Sequence, residues 1–146
     1  MRCSTLEKLL QTQFNLIAIE NKQPSVILDT FRQYNSLTGT PVYIWNKESG
    51  LYRLNMSNVK LPQSKTIQQV INYFLKHKQN SLFIFSGFSE QLNNSFVENS
   101  IVDIAKDKKN TKKIIIVDTK LDLSEKFKGH ALETKKLFQM KLQRAA

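Results

Sequence analysis

Apolar residues along the chain fall into two patterns, and each pattern predicts a different kind of element. Four short runs are apolar at consecutive positions and are bounded by polar residues, which is typical of strands buried on both faces. The stretches between them carry apolar residues three or four positions apart, which is typical of helices with one buried face. The predicted strands cover 15–20, 41–45, 82–85 and 113–118.

Four helices are predicted before and between these strands. The first covers 5–13, the second runs from Pro24 to the closing Gly39, and the others cover 67–75 and 95–105. The helix at 67–75 has the clearest apolar stripe, formed by Ile67, Val70, Ile71, Phe74 and Leu75. Pro24 suits the first helical turn, where its missing N–H has no intrahelical partner to lose.

Two helix starts carry the spacing of a capping box, in which a Ser side chain and a Glu three residues later satisfy free backbone donors. These pairs are Ser4 with Glu7 and Ser95 with Glu98. Two other stretches have weaker patterns. We expect a short edge strand at 51–54 and a final helix over 132–144.

Apolar strands that alternate with amphipathic helices indicate a mostly parallel sheet covered by helices on both faces. We therefore predict one α/β domain over 1–146, built as a three-layer sandwich. We expect Ile115 at the centre of the middle strand, beneath the helix that carries Val70 and Phe74.

Composition supports an ordinary globular chain of 146 residues, with 40% hydrophobic and 23% charged residues. No apolar run approaches the roughly 18–20 residues of a membrane span. The first residues also lack the apolar region of a secretory signal. The single cysteine, Cys3, has no disulfide partner within the chain and fits a reducing compartment. A soluble protein that stays where it is made is therefore predicted.

The formal net charge of +10 raises the possibility of a polyanionic partner. The densest basic cluster consists of Lys106, Lys108, Lys109, Lys112 and Lys113, which are the candidate nucleic-acid contacts. The same cluster falls at a helix end and a loop, where exposed cations are favourable without any ligand. A nucleic-acid surface and a solvated helix end thus remain alternatives.

The ends of the predicted strands show no phosphate-binding motif. A phosphate loop needs glycines so that backbone N–H groups can close around the phosphates, but the segment from Glu20 to Ser25 contains none. The strand at 82–85 is followed by Ser86, where an ATPase would place a carboxylate that handles magnesium. Glu20, Ser86 and Asp118 would make a catalytic site only if they shared one pocket, and turn or capping roles are the alternative.

Other side chains with potential chemistry favour structural roles. His77 is expected in a solvated last helical turn. Two distant histidines and one cysteine do not supply the four clustered ligands of a structural zinc site. Tyr43, Trp45 and Tyr52 would serve either as a stacking platform for bases or as core residues, and the core is favoured. We therefore predict no catalytic residue, no cofactor and no metal.

Two segments carry a resemblance to a known family. The first is 14–20, Phe-Asn-Leu-Ile-Ala-Ile-Glu, which precedes a predicted helix. The second is 39–46, Gly-Thr-Pro-Val-Tyr-Ile-Trp-Asn, followed by Ser49, Gly50 and Leu51. Together they resemble the N-terminal domain of an AAA+ ATPase family found in plastid genomes and cyanobacteria, over roughly residues 6–125.

The resemblance implies a degenerate P-loop fold, with the ATP site in a separate AAA+ module. It implies a protein partner, such as that module, and a location in the plastid stroma or the bacterial cytoplasm. The family often has Asp after the third strand, whereas this chain has Ser86. We expect a non-catalytic regulatory or interaction domain, either part of a longer protein or a shortened relative, with a basic nucleic-acid-binding module as the alternative.

Overall fold

A computed structural model describes residues 1–62, 64–107, 109 and 111–135, and for 56–59 it describes the backbone alone. Within these ranges the helices are α1 (Cys3–Leu10), α2 (Pro24–Thr38), α3 (Ile67–Lys76) and α4 (Ser95–Lys106). The strands are β1 (Leu16–Glu20), β2 (Val42–Asn46), β3 (Gly50–Arg53), β4 (Met56–Lys60), β5 (Leu82–Ser86), β6 (Lys113–Asp118) and β7 (Ala131–Glu133). Short 3₁₀ helices cover Gln91–Asn93 and Glu125–Phe127.

The strands form one sheet in the order β4-β3-β2-β5-β6-β1-β7. Strands β2, β5, β6, β1 and β7 are parallel, whereas β3 and β4 extend the sheet in antiparallel fashion. The predicted α/β class with a mostly parallel sheet is therefore confirmed. The ends of the five parallel strands, Glu20, Asn46, Ser86, Asp118 and Glu133, meet at one edge of the sheet, called here the carboxyl edge.

The hydrophobic core is divided by the sheet into two layers. Side chains such as Phe83, Ile114 and Ile116 pack beneath α3 and α4 on one face. On the other face, Ile17 and Ile115 pack beneath α1 and α2. Successive strand residues point to opposite faces, so a strand buried on both faces must be apolar throughout, as β6 is. This arrangement is the predicted three-layer sandwich.

The first residues of two helices are capped differently from the prediction. α1 follows Arg2, which has extended backbone and makes no side-chain cap bond, so Ser4 lies inside the helix. α4 is capped by Asn94, whose Oδ1 accepts the N–H of Val97 at 3.4 Å, so Ser95 is already helical. The predicted capping boxes at Ser4 and Ser95 are therefore wrong, because the chain enters each helix at least one residue earlier.

Other helix ends follow sequence signals. Thr66 and Gln69 form a full capping box at the start of α3. Pro24 occupies the first turn of α2, as predicted. Gly39 ends that helix with φ 72°, a left-handed conformation that glycine adopts without the strain of a Cβ.

Two predictions at the margins of the sheet need correction. The strand expected at the edge, 51–54, is β3, but it is flanked on both sides because β4 pairs with it. The final helix expected over 132–144 is wrong at its start, since Leu132 lies in β7 and pairs with Ile17 of β1. Residues 136–144 of that predicted helix lie outside the described residues.

Ile115 is fully buried, but its surroundings differ from the prediction. It lies between Ile17 of β1 and Ile84 of β5, one strand away from the middle of the sheet. It faces α1 and α2, whereas Val70 and Phe74 cover the opposite face above Ile114 and Ile116. The prediction that the helix carrying Val70 and Phe74 covers Ile115 was wrong. Which face of the sheet a strand residue points to depends on the register with neighbouring strands, and the strand's own sequence does not reveal that register.

Truncating Ile115 tests whether β6 lies in the core. Ile115→Ala should lower the free energy of unfolding by about 2–5 kcal/mol, because it leaves a cavity between the sheet and the helices α1 and α2. Lys109→Ala, at an exposed position, should change it by at most about 0.5 kcal/mol. Urea unfolding of both variants provides the comparison, and an unchanged midpoint for Ile115→Ala would contradict the placement of β6.

Candidate functional site

The carboxyl edge is the first candidate site, since ligands of open parallel sheets bind outside the carboxyl ends of the strands. Glu20 and Asp118 are direct neighbours in the pairing of β1 with β6, so both point towards the α3 and α4 face. Ser86 pairs with Val117 and follows Ile84 by two positions, which directs it towards the opposite face. Ser86 thus lies on the opposite face of the sheet from the two carboxylates, and the three side chains do not share one pocket.

Glu20 holds the segment that follows β6. Its Oε1 accepts the backbone N–H of Leu121 at 2.7 Å. The same oxygen lies 3.7 Å from the Nζ of Lys135, which donates to the carbonyl of Leu121 at 2.8 Å. Glu20 and Lys135 therefore satisfy both backbone groups of Leu121, whose side chain is buried in the core beneath α3 and α4.

Asp118 holds the segment that follows β5. Its Oδ2 accepts the hydroxyl of Ser89 at 2.7 Å and the backbone N–H of Ser89 at 3.2 Å. Its Oδ1 accepts the backbone N–H of Thr119 at 2.7 Å. This is the turn role that the sequence offered as the alternative to a ligand contact.

The loop between β1 and α2 closes on itself. It has three residues, 21–23, and contains no glycine. The N–H of Asn21 donates to the carbonyl of Asp118 at 3.0 Å, and the N–H of Gln23 donates to Oδ1 of Asn21 at 2.8 Å. Pro24, which follows, has no N–H to offer. Two of the loop's three backbone N–H groups are therefore engaged within the protein, and the position that follows the loop has none to offer.

An open cavity of about 700 Å³ lies beside this loop. It is lined by Glu20, Asn21, Lys22, Thr119 and Lys120. Two lysines beside one carboxylate make its lining weakly basic. The two side-chain ammonium groups would attract an anion into this cavity.

The predicted basic cluster is divided by the fold. Lys112 is buried, its Nζ donates to the carbonyl of Phe74, and the ammonium lies 4.4 Å from the centre of that ring. Burial lowers the pKa of Lys112, and the charge of Asp107 partly offsets this effect. Lys112 thus stabilises the end of α3, where it satisfies a terminal helix carbonyl.

Lys113 is also engaged within the fold. Its Nζ donates to the carbonyl of Thr12 at 2.9 Å and to the carbonyl of Phe14, and burial lowers its pKa. Lys106 and Lys109 are exposed. Lys108 lies outside the described residues. The nucleic-acid contact predicted for this cluster stays a prediction, and two of its five lysines have structural partners.

His77 ends α3 in contact with aromatic rings, and the predicted solvated position was wrong. Its ring centre lies 5.3 Å from that of Tyr43 and 5.5 Å from those of Tyr73 and Phe83. Its Nε2 is buried and finds no hydrogen-bond partner among the described residues. Burial, with the nearby charge of Lys112, lowers the pKa of His77. The half-buried ring packs against aromatic side chains, so the neutral imidazole is favoured.

The aromatic residues of β2 belong to the core. Trp45 is 2% exposed and donates from Nε1 to the carbonyl of Lys65 at 3.3 Å. Tyr43 is 6% exposed and stacks on Phe83 with ring centres 4.9 Å apart. Tyr52 of β3 packs against the opposite layer. The core interpretation of these side chains is therefore correct, and bases would have no free ring face on Trp45 or Tyr43.

Among the residues that the structure describes, no three His, Cys, Asp or Glu side chains gather in a way that could hold a metal ion. In the same part of the chain, no helix is long and apolar enough to cross a membrane.

Sequence reasoning missed the partners that define the carboxyl edge. Ser89, Leu121 and Lys135 contribute to it through contacts with residues 29, 101 and 14 positions away. No local motif marks these three positions. The signal that could have identified them is the parallel pairing of β1 with β6. This pairing places Glu20 and Asp118 side by side, next to the segments that leave the sheet.

Comparison with known proteins matches the chain to a protein family. A family model described as SpoVK-like AAA ATPase, N-terminal domain, matches residues 3–132. Neither the curated proteins nor the solved structures compared with the chain gave a match.

Replacing Lys113 tests its structural role. Lys113→Met should lower the free energy of unfolding by about 1–3 kcal/mol, because the carbonyls of Thr12 and Phe14 lose a charged donor. Lys106→Met, at an exposed position of the same cluster, should cost at most about 0.5 kcal/mol. Thermal and urea unfolding check the pair, and equal stabilities would show that the Lys113 bonds contribute nothing.

Acidification tests the environment of His77. Its pKa in the folded chain lies below the ordinary 6.5, so the unfolded chain binds more protons between these two values. Stability is therefore complete above pH 6.5 and should fall as the pH drops through that window. His77→Phe, which retains an aromatic ring, should remove this part of the pH dependence. Parallel urea curves from pH 7.5 to 5 measure it, and identical slopes for both proteins would refute it.

Proposed function

Because the chain belongs to the SpoVK-like AAA ATPase N-terminal domain family, we propose that it is a non-catalytic regulatory or interaction domain that acts through a protein partner. The observation that carries this proposal is the loop between β1 and α2. In a P-loop protein this strand–loop–helix unit binds the phosphates through glycine-rich backbone.

The geometry of that loop supports the proposal. Three residues cannot encircle a phosphate in the way that the longer GxxxxGK segment does. The N–H groups of Asn21 and Gln23 already have acceptors within the protein. An incoming triphosphate would have to displace these bonds and would gain no replacement for the donor that Pro24 lacks.

The remaining carboxyl-edge groups support the same proposal. Ser86 ends β5 without a carboxylate, and Mg²⁺ prefers carboxylate and phosphate oxygens. Glu20 and Asp118 each accept a backbone N–H, so binding a metal would compete with the contacts that hold two loops. The polar side chains of the carboxyl edge hold segments of the chain together, and this favours an interaction domain over an enzyme.

The family suggests an AAA+ module as the protein partner, within the same chain or on another one. We further propose the plastid stroma or the bacterial cytoplasm as its compartment, in line with the plastid and cyanobacterial resemblance. Cell fractionation with an antibody against the chain tests the compartment, and recovery in a secreted fraction would contradict it.

Nucleotide titration tests the proposed function. Binding of ATP with Mg²⁺ should be weaker than ~100 μM at physiological salt, with no turnover. Any weak association should reflect Lys22 and Lys120 beside the loop, so it should fall in Lys22→Ala/Lys120→Ala and at higher salt. Saturable ATP binding at ~10 μM or tighter, or any turnover, would rule out the proposal.

A nucleic-acid-binding module is the second candidate, and the formal charge of +10 favours it. The exposed Lys106 and Lys109 are its candidate contacts, together with Lys108 of the same cluster. Such contacts would release counterions, so affinity would decline steeply as salt rises.

Fluorescence anisotropy with labelled RNA and DNA at ~50 mM and ~200 mM salt tests this candidate. Binding that weakens at least ~10-fold over this range and falls further in Lys106→Ala/Lys109→Ala would support it. Absence of binding at the lower salt, or binding indifferent to both lysines, would exclude this surface.

A further inference from the structure

A groove runs between α3 and α4 on the outer surface of the domain. Ile71 and Ile104, each 5% exposed, form its floor. Leu75 and Phe96 stand at its sides and are 58% and 59% exposed. The groove encloses about 380 Å³. Both helices run from the carboxyl edge to the opposite edge of the sheet, so the groove follows two helix axes.

Leu75 and Phe96 have no structural reason to be apolar within the described chain. Leu75 belongs to the apolar stripe of α3, but the sheet covers Val70, Ile71 and Phe74 and leaves Leu75 outside. The apolar face of α3 is therefore wider than the surface that the domain itself buries. Leu75 lies in the last turn of α3 and Phe96 in the first turn of α4, so the two exposed apolar side chains stand towards opposite ends of the groove. Exposed apolar side chains along one groove are typical of an interaction site.

The charge of the groove differs from that of the whole chain. The chain has 22 Lys and Arg against 12 Asp and Glu, yet the described residues that line this groove include two Asp and no Lys or Arg. Asp103 and Asp107 lie on α4 and directly after it, and both are exposed. The other polar lining residues are uncharged: Gln68, Asn72 and Ser100.

We propose that this groove binds an amphipathic helix of a partner protein, with apolar residues against Leu75 and Phe96 and Lys or Arg residues beside Asp103 and Asp107. A helix satisfies its own backbone donors, whereas a peptide that binds by strand addition needs a free sheet edge, which the two helices do not offer. Apolar residues three and four positions apart fit a groove of this kind. The inference rests on the proposed interaction role and names its surface.

Selection from a displayed library of amphipathic helices tests the inference with the full chain as target. The library keeps an apolar stripe at i, i+3, i+4 and i+7 and allows Lys, Glu or Gln at the flanking positions. Helices with Lys flanks should be enriched. Their affinity should fall at least ~10-fold in Leu75→Ser and Phe96→Ser. The control Leu37→Ser alters a leucine of α2 that is 75% exposed, and it should have no effect.

Charge reversal provides a second readout that does not depend on apolar contact. Asp103→Lys should shift the enriched flanks from Lys towards Glu, since like charges across an interface are disfavoured. Enrichment of Glu flanks on the wild-type chain, or binding unaffected by Leu75→Ser and Phe96→Ser, would overturn the proposal.

Evidence for either of two other occupants of the groove would also overturn the proposal. Concentration-dependent dimerisation that Phe96→Ser abolishes would assign the groove to a second copy. Peptide binding that appears only after deletion of residues 136–146 would assign it to that segment of the same chain. ATP binding, by contrast, would contradict the proposed function and leave these groove measurements unchanged, so the two failures are distinguishable.

Discussion

The parallel pairing of β1 with β6 is the constraint on which the rest of the domain depends. It aligns five residues of each strand, from Leu16 with Ile114 to Glu20 with Asp118. The apolar residues of both strands are thereby divided between two core layers, and two carboxylates are placed side by side where the strands end. Neighbouring like charges repel, so each carboxylate is stabilised by hydrogen-bond donors. The backbone N–H groups of the two loops that leave the sheet provide these donors.

This use of the carboxyl edge links the fold to the proposed role. In a nucleotide-binding relative of this architecture, the same edge must leave backbone donors and a carboxylate available to the ligand. Here Glu20 and Asp118 fix Leu121 and Ser89, and the loop after β1 is three residues long. The exposed apolar groove lies elsewhere, between α3 and α4, where Leu75 and Phe96 face solvent. The contacts that stabilise the carboxyl edge and the surface proposed for interaction thus lie in different parts of the molecule.

Local pattern was enough to predict the strands β1, β2, β5 and β6, because burial on both faces requires consecutive apolar residues. It also predicted the helices α1 to α4. β6 was predicted with its observed bounds, Lys113–Asp118. The face of the sheet towards which Ile115 points was not predictable, since it depends on the register between segments that are distant in sequence. The carbonyl partners of Lys112 and Lys113 were not predictable for a similar reason, because they lie 38 and about 100 positions away. β7 and β4 were missed because short strands at the margin of a sheet carry little pattern.

Amide hydrogen exchange at Ser89 and Leu121 tests the central claim most directly, since their N–H groups donate to Asp118 and Glu20. Both amides should exchange slowly in the wild-type chain. Asp118→Ala should accelerate exchange at Ser89, and Glu20→Ala should accelerate it at Leu121, while the β6 amide of Ile116 stays protected. Exchange at unprotected rates in the wild-type chain, or rates that neither substitution changes, would contradict a carboxyl edge held closed by its own carboxylates.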